Sequence, residues 1–387
     1  MHRTRAATVA LFCGAAFAFG IAPAQAGAFK LLYSFQGGSN DGANPQGALT
    51  AVGQTLYGTT ISGGSADAGT IFSLDPKTGV EKILHAFGGS SDGSAPAAAM
   101  LKVGDTLYGT TTSGGSAGQG IVFSLSLKTG AESVVYTFQG GANDGSYPQA
   151  RLIAVDGMLY GTTMQGGSGN CYLFGCGTVF SIDPATGAEK VLHFFQNSDG
   201  ANPGGGLLAA HHKLYGTTVS GGDGDCGTVF VLDPATGVEK VLHNFDRQGD
   251  GTNPGAGLFN VDGTLYGTTI AGGSGDPGVG TVFAFNRKTA AEQVVFAFAN
   301  AHGAIPEDSL IAAGGTLYAT TSLGGASNNG TVFALDPATG AEKVVHSFQG
   351  SDGSDPWADL IEVGDSLYGT AYYGGSAGDG VVFAITP

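Results

Sequence analysis

Short runs of apolar residues alternate with Gly-rich turns along nearly the whole chain. A run of the type Thr-Val-Phe-x-Leu, as in 178–182, is followed by Glu-Lys-Val-Leu-His-x-Phe, as in 189–195. Branched and aromatic residues in runs this short predict β-strands. Asp-Pro-x-x-Gly, as in 183–187, joins the two runs, because Pro and Gly suit the backbone angles of a tight turn. No segment has a helical period.

A second pair of short runs completes the unit. The first is of the type Leu-Ile-Ala-Val, as in 152–155, and the second is Leu-Tyr-Gly/Ala-Thr; a Gly-Asp or Asp-Gly turn joins most pairs. The second string recurs every 50–55 residues, starting at Leu56, Leu107, Leu159, Leu214, Leu265, Leu317 and Leu367. We name the four strands A, B, C and D, with Leu-Tyr-Gly-Thr-Thr as B and Glu-Lys-Val-Leu-His as D. Seven units of four short antiparallel strands predict an all-β, seven-bladed β-propeller.

Each end of the chain holds an incomplete unit. Residues 29–35 have the pattern of a D strand with no A, B or C before them, and residues 380–386 have that of a C strand with no D after them. We predict that these strands pair and close the ring, which removes an open sheet edge. Residues 27–387 are then expected to form one propeller domain with the D strands on the rim.

Residues 1–26 are predicted to be a secretory signal peptide. Arg3 and Arg5 precede an apolar run over 6–21, and Ala-Gln-Ala at 24–26 is a small-residue cleavage signal. The apolar run is short for a bilayer span, and no second one approaches that length. We expect an exported protein, periplasmic or extracellular, without a membrane span.

Composition narrows the range of partners. The formal net charge is −16, which disfavours nucleic acid and anionic lipid. Only 12% of residues are charged and 70 are Gly, while Val, Leu, Ile and Phe are plentiful, so the Gly residues indicate tight turns rather than disorder. We expect a monomer that binds no nucleic acid.

Three cysteines follow the leader. Cys171 and Cys176 lie in one loop, within an insertion that the other repeats lack, and an exported chain can oxidise them. We favour a disulfide between these two; a bridge from Cys226, which occupies the place of Cys176 in the next repeat, is the competing pairing. A zinc site is a poorer interpretation, since there is no second Cys pair and no nearby His at ligand spacing. No metal is expected.

Four blocks recur in a fixed order: Gly-Thr-Val-Phe-x-Leu-Asp-Pro, Lys-Val-Leu-His-x-Phe-x-Gly, Asp-Gly-x-x-Pro and Leu-Tyr-Gly-Thr-Thr-x-x-Gly-Gly. Together they resemble the bacterial GloVer (Gloeobacter/Verrucomicrobia-type) tandem repeat over nearly all of 28–387. The resemblance implies an exported, repetitive protein and no particular activity. The Phe-x-Leu-Asp-Pro-x-Thr-Gly turn is also loosely similar to quinoprotein propeller repeats. Those carry a Trp in strand D, where this chain has His or another aromatic, so we expect no quinone and no other cofactor.

Several polar residues recur as part of the repeat itself. The Asp of Asp-Gly-x-x-Pro occurs in six of seven loops, which favours an Asx-type turn over a ring of cation ligands. The D-strand His alternates with Tyr and Phe between units, which indicates packing rather than metal ligation. The Glu-Lys pairs of strand D, such as Glu81-Lys82, are interpreted as solvated charges that protect the sheet edge.

The candidate binding site is predicted from residues that differ from the repeat consensus. B–C and D–A loops share one face of a propeller, and the positions just before strand A lie near its axis. Most units have Gly or Ala there, but three have larger polar residues, and the last two units also change the neighbouring loops. The candidate ligand-binding residues are Arg151, His302, Glu307, Asp308, Trp357, Asp359, Tyr372 and Tyr373.

Three functions are compatible with these residues. An aromatic beside carboxylates suits a carbohydrate or cationic ligand, so the first hypothesis is a non-catalytic module that binds a glycan, peptide or surface partner. The second is a carbohydrate lyase or hydrolase that uses Glu307, Asp308, Asp359 or Arg151, provided that its carboxylates lie roughly 5–10 Å apart. The third is a purely structural envelope protein.

Overall fold

The computed structural model describes residues 28–169, 171, 174–246, 249–273 and 279–387. The predicted signal peptide lies outside this range. All regular elements in the described residues are strands, so none of their segments is a helix that could cross a membrane. The chain begins with β1 (Ala28–Ser34). Blade 1 contains β2 (Gly42–Ala43), β3 (Thr50–Val52), β4 (Thr55–Thr60), β5 (Ser62–Gly63), β6 (Thr70–Leu74) and β7 (Glu81–Ala86).

The other blades follow in chain order. Blade 2 contains β8 (Leu101–Val103), β9 (Thr106–Thr111), β10 (Ile121–Ser126) and β11 (Glu132–Thr137). Blade 3 contains β12 (Gly145–Ser146), β13 (Ile153–Val155), β14 (Met158–Thr163), β15 (Gln165–Gly166), β16 (Thr178–Ile182) and β17 (Glu189–Phe194). Blade 4 contains β18 (Leu208–Ala210), β19 (Lys213–Thr218), β20 (Thr228–Leu232) and β21 (Glu239–Asn244).

Three blades complete the ring. Blade 5 contains β22 (Phe259–Val261), β23 (Thr264–Thr269), β24 (Thr281–Asn286) and β25 (Ala291–Ala297). Blade 6 contains β26 (Ile311–Ala313), β27 (Thr316–Thr321), β28 (Thr331–Leu335) and β29 (Glu342–Ser347). Blade 7 contains β30 (Ile361–Val363), β31 (Ser366–Ala371) and β32 (Val381–Thr386), and β1 is its fourth strand.

Each blade is a four-stranded antiparallel sheet with the strands in the order A, B, C, D. The A strands of neighbouring blades contact one another, as β3 does with β8 and with β30. The A strands therefore surround the axis and the D strands form the rim. The prediction of a seven-bladed β-propeller is confirmed.

The two chain ends close the ring as predicted. β1 pairs antiparallel with β32, with Phe29 opposite Ile385 and Leu31 opposite Phe383. The Phe35 amide extends this ladder by donating to the Gly380 carbonyl at 3.0 Å. Blade 7 is thus made of strands from both termini, and its sheet has the same composition as the other six.

Pairs of buried Phe rings hold neighbouring blades together. The Phe at the end of each D strand meets the Phe of the next blade's C strand edge-to-face, with centroids 5.0–5.3 Å apart. This geometry adds to the stabilisation that burial alone supplies. The pairs are Phe35–Phe72, Phe87–Phe123, Phe138–Phe180, Phe195–Phe230, Phe245–Phe283, Phe298–Phe333 and Phe348–Phe383.

Candidate functional site

The D–A and B–C loops of each blade are joined on one face of the ring. Backbone pairing links the two loops in all seven blades, for example between Ser94 and Ser113 and between Ser354 and Tyr373. Strand alternation predicts this grouping, and the structure agrees with it. Side chains from both loops therefore converge where the A strands reach the axis.

The residues that follow the Pro of Asp-Gly-x-x-Pro lead into strand A. We call the seven residues directly after this Pro the axial mouth; they are Gln46, Ala97, Gln149, Gly204, Gly255, Glu307 and Trp357. Contacts connect neighbouring lead-ins around the axis: Ala48, Ala99 and Ala358 form a buried cluster, and the Ser309 amide donates to Asp359 Oδ1 at 2.6 Å. The axial-mouth residue is small or neutral in blades 1 to 5. In blade 6 it is an acid, Glu307, and in blade 7 it is a large aromatic, Trp357.

Three aromatic rings cluster at blade 7. The Trp357 ring centroid lies 5.0 Å from that of Tyr372 at an angle of 31°, and Tyr372 meets Tyr373 edge-to-face at 4.5 Å. Trp357 Nε1 donates to Asp355 Oδ1 at 2.8 Å, which fixes the indole. Trp357 and Tyr372 are half-buried, and Tyr373 is 49% exposed. The structure thus brings together three of the residues that the sequence nominated.

Carboxyl groups adjoin this cluster. Burial, and secondarily the charge of Asp355, raises the pKa of Glu307 to about 7, although a hydrogen bond with Ser322 opposes the shift. Burial also raises the pKa of Asp355, against the Trp357 hydrogen bond. Sequence reasoning missed Asp355. The sequence feature that could have identified it is the residue before the Pro of the loop, which is Asp355 in this blade and Asn in three others, at Asn44, Asn202 and Asn253.

A fourth aromatic approaches from another blade. Burial raises the pKa of Tyr372, and Tyr373, Asp355 and Tyr147 contribute smaller effects in the same direction. Tyr147 lies in the lead-in to blade 3 and is 38% exposed. Tyr147 belongs to a different blade from the other three aromatic residues and has no ring contact with them in the described residues.

Asp308 and Asp359 are close to each other but differ in access to solvent. Asp308 is 2% exposed, and its Oδ2 accepts hydrogen bonds from the Thr320 amide and hydroxyl, both at 2.9 Å. Burial, and then the charge of Asp359, raises the pKa of Asp308 well above its ordinary range. Asp308 is therefore set in the wall behind the axial mouth, whereas Asp359 is half-buried.

Two nominated residues make no contact with the aromatic cluster in the described residues. Arg151 precedes strand A of blade 3, is exposed, and forms no ion pair with the described residues. His302 lies towards the rim, where its Nδ1 is 2.6 Å from Glu342 Oε2 of the next blade's D strand. Trp357 instead bonds to Asp355 and packs on Tyr372.

A second recurrent arrangement lies near the rim. A β-bulge in every D strand turns its His or Tyr towards the following loop, where it reaches the Asp of Asp-Gly-x-x-Pro at 2.9–3.3 Å. The pairs are Tyr33–Asp41, His85–Asp92, Tyr136–Asp144, His193–Asp199, His243–Asp250 and His346–Asp352. Blade 5 instead has Phe296 on strand D and His302 in the loop.

The first Glu of the next D strand completes each arrangement, which we call a rim junction. The prediction that the Glu-Lys pairs are solvated is wrong for Glu and right for Lys: the Lys side chains are exposed, but each Glu has a buried carboxylate oxygen without a hydrogen-bond partner in the described residues. The pairs begin with Glu81, Glu189, Glu239 and Glu342, and Glu132 and Glu292 of two further D strands share this feature. In the seventh junction Phe29 replaces Glu and stacks on His346 at 3.9 Å. A D strand read alone does not reveal the neighbouring blade that buries its first residue.

Cys171 and Cys176 are joined by a disulfide in the structure. Cys226 is a buried free thiol, and its Sγ lies 3.2 Å from the Gly224 carbonyl oxygen. The pairing within one loop is therefore the one that the structure contains.

Solved structures with a similar fold perform different tasks. An oligogalacturonate lyase in complex with manganese matches with a TM-score of 0.58 at 14% identity, over 92% of each chain. The extracellular domain of a proposed one-component system from B. thetaiotaomicron matches with a TM-score of 0.61 at 11% identity, over 92% of this chain and 39% of that one. A proposed 6-phosphogluconolactonase from Bacteroides uniformis matches with a TM-score of 0.55 at 17% identity, over 84% and 90%. At these identities the likeness shows the fold alone.

No curated protein matches the chain in sequence. The model of the Gloeobacter/Verrucomicrobia repeat matches residues 13–174 and again 172–383, which together span nearly all of the propeller. The recurring blocks, the closed seven-bladed ring and this match agree, and the chain belongs to the Gloeobacter/Verrucomicrobia repeat family.

Proposed function

We propose that this protein is an exported, non-catalytic binding module that takes a glycan at the axial mouth, on the blade 6–7 side. The observation that carries the proposal is the cluster of Trp357, Tyr372 and Tyr373, with the indole held by Asp355. Rings that are fixed before a ligand arrives lose little conformational freedom on binding.

The cluster has the two kinds of group that sugar recognition needs. Half-buried aromatic faces pack against the C–H face of a pyranose, and the adjacent carboxyl groups of Glu307 and Asp355 hydrogen-bond its hydroxyls. Gly204 and Gly255 present no side chain on the other side of the axial mouth, and they pack against Val219 and Ile270. This asymmetry suits an elongated ligand that crosses the mouth.

Charge favours a neutral or amino sugar. Asp355 bonds to the indole of the cluster, Glu307 lies near Asp355, and the whole chain carries a net charge of −16. A uronate oligomer, the substrate named for the lyase of similar fold, would be repelled at this position. An ammonium group, by contrast, would be attracted by both the carboxylates and the ring faces.

Catalysis is the second candidate, and no observation favours it over binding. Asp308 is buried and engaged by Thr320, Asp359 accepts from the Ser309 amide, and Arg151 makes no contact with the cluster in the described residues. The site therefore offers recognition groups, and Asp308, the acid with the most strongly raised pKa, is buried away from a ligand. Incubation of each bound glycan with the protein, followed by analysis of its length, tests for turnover in the same preparation.

A glycan array is the test of binding. We expect the wild-type protein to bind a set of neutral or amino-sugar glycans, and the Trp357→Ala variant to lose at least 10-fold in affinity for them. Val238→Ala is the control, since Val238 is 65% exposed in a C–D turn on the opposite face. An array on which wild type and Trp357→Ala give the same signals would contradict the proposal and favour a structural role.

Export is part of the same proposal and rests on residues 1–26. The charged start, apolar run and Ala-Gln-Ala end are the parts of a cleavable leader. Expression of the full chain in a bacterial host should yield a periplasmic or secreted protein whose mass corresponds to a start at Gly27. A full-length protein retained in the cytosol would contradict export.

A further inference from the structure

Three rim junctions contain an imidazole and two carboxylates. Besides the junction of His85, Asp92 and Glu132, there are two in which the three groups lie close together. One consists of His193, Asp199 and Glu239, and the other of His243, Asp250 and Glu292. In each junction, one ligand atom from every residue lies within 4.8 Å of the other two. The His and Asp come from one blade and the Glu from the next, so the packing of two blades assembles the set.

The Asp carboxylates are held in place by the backbone. Asp199 Oδ1 accepts from the Gln196 amide at 2.8 Å, and Asp250 Oδ1 accepts from the Asp246 amide at 3.1 Å. Oδ2 then faces the imidazole, at 3.1 Å from His193 Nε2 and at 2.9 Å from His243 Nε2. Such support from outside the ligand set is what orients metal-binding carboxylates in proteins.

The Glu carboxylates of these junctions are not fully satisfied. Oε1 of Glu239 and Oε1 of Glu292 are buried and have no hydrogen-bond partner among the described residues, as is true of the other junction Glu residues, but only here does a Glu carboxylate oxygen also lie within 4.8 Å of both a His nitrogen and an Asp oxygen. A buried carboxylate oxygen without a partner is costly. A cation in the junction satisfies it directly.

We propose that these two rim junctions each bind one divalent transition-metal ion of the Zn²⁺ type. One imidazole nitrogen and two carboxylate oxygens are ligands that Zn²⁺ uses, with water in the fourth position. Solvent reaches the junctions, since the side chains of His193 and Asp199 are 17% and 22% exposed. The sequence alone led us to expect no metal, because the D-strand His alternates with Tyr and Phe between repeats.

The observed spacing requires little rearrangement. Zn–N and Zn–O bonds of about 2.0–2.2 Å place neighbouring ligands of a tetrahedral site roughly 3.3 Å apart. The His–Asp separations are already near this value, and the Glu oxygen, which lies within 4.8 Å of both, has to move closer. Two carboxylates and a neutral imidazole also balance the charge of a divalent ion.

The remaining junctions provide internal controls. Tyr136, Asp144 and Glu189 form a junction in which a phenol, protonated at neutral pH, replaces the imidazole. His346 and Asp352 form one in which Phe29 replaces Glu. The first lacks the nitrogen ligand and the second lacks one carboxylate, so neither is expected to hold the ion.

The test compares zinc content between variants. Wild-type propeller, the double variant His193→Tyr/His243→Tyr and the control His346→Tyr are stripped with a chelator. Each protein is then equilibrated with Zn²⁺ and desalted to remove excess ion. Its zinc content per chain is measured by inductively coupled plasma mass spectrometry. Tyr is the chosen replacement because two natural junctions already accommodate it. We expect the double variant to hold two fewer Zn²⁺ per chain than wild type, and the control to match wild type.

Equal zinc contents in wild type and a folded double variant would overturn the proposal. If the double variant does not give the circular dichroism of a folded propeller, Glu239→Gln/Glu292→Gln is the replacement, since Gln keeps the size of the side chain. The same loss of two Zn²⁺ is expected there. An unchanged zinc content in the Gln variant would equally contradict the two sites.

Discussion

The rim junctions and the axial mouth are built from the same seven repeats, yet one is nearly uniform and the other is not. Around the rim, six junctions have a Glu and six have a His or Tyr bonded to Asp. At the axial mouth, the equivalent residues range from Gly204 to Glu307 and Trp357. Every blade must join its neighbour in the same way, whereas a ligand on the axis meets each blade differently. Uniform positions thus indicate assembly of the ring, and divergent ones indicate recognition.

The largest effect is expected where the ring closes. Phe35 is fully buried and meets Phe72 edge-to-face, so Phe35→Ala should lower the free energy of unfolding by about 3–5 kcal/mol. Trp357→Ala at the axial mouth should lower it by less than half as much, because Trp357 is only half-buried. Denaturant unfolding measures both values. Equal losses of stability for the two variants would contradict the view that contacts between blades hold the ring together and that the axial mouth contributes little to stability.

Loss of a single rim junction should have an intermediate effect. Asp92 accepts hydrogen bonds from the Gly88 amide at 2.9 Å and lies 3.3 Å from His85 Nε2. Asp92→Ala should therefore cost about 1.5–3 kcal/mol, the range for hydrogen bonds to a charged group. Asp365→Ala is the matched control, because Asp365 is exposed in an A–B turn. A loss no greater than that of the control would show that the junction contributes nothing to stability.

The buried Glu residues should make the metal-free protein less stable at higher pH. Burial raises the pKa of Glu81 and Glu189 to about 7, with smaller contributions from Asp41 and Asp144 respectively. Tyr33 and Tyr136 face the same carboxyls. Because the folded pKa exceeds the unfolded value, the folded state binds more protons between about pH 5 and 7, and stability falls as pH rises through that window.

Replacement of these two acids isolates their effect. Glu81→Gln/Glu189→Gln should flatten the loss of stability between about pH 5 and 8, by on the order of 1 kcal/mol for each residue. Unfolding in chelator at a series of pH values measures this slope. Both residues lie at Tyr junctions, so the proposed metal sites do not enter the comparison. An unchanged slope would show that the two carboxyls are solvated as the sequence suggested.

The sequence predicted the architecture because the architecture repeats. Strand patterns identify the four strands of each blade, and the half units at 29–35 and 380–386 predict the closure that β1 and β32 make. Contacts between blades are harder to predict, since the Glu of one repeat meets the His or Tyr of another. One signal of the contact within a junction was nevertheless present in the sequence. In blade 5 strand D has Phe296 instead of His or Tyr, and the loop has His302 instead of Asp, so the two positions change together.

The candidate site was only partly predictable. Trp357, Tyr372 and Tyr373 stand out as departures from the repeat, and they do cluster. Asp355 does not stand out, because Asp and Asn both suit a turn position with positive φ. His302 departs from the repeat as clearly as Trp357 does, yet it lies towards the rim. A residue that differs from the repeat consensus is a candidate for a specific role, but only the folded structure shows whether its side chain lies at the axial mouth or at the rim.

Tryptophan fluorescence tests the central claim most directly, because Trp357 is the single tryptophan of the chain. Titration with a glycan selected on the array should shift or quench the emission of wild type, with a midpoint equal to the dissociation constant from calorimetry. Tyr373→Ala should move both midpoints to higher concentration by roughly 2–10-fold, the value of one aromatic contact. Calorimetric binding with no change in the emission of Trp357 would place the ligand elsewhere and contradict the assignment of the axial mouth.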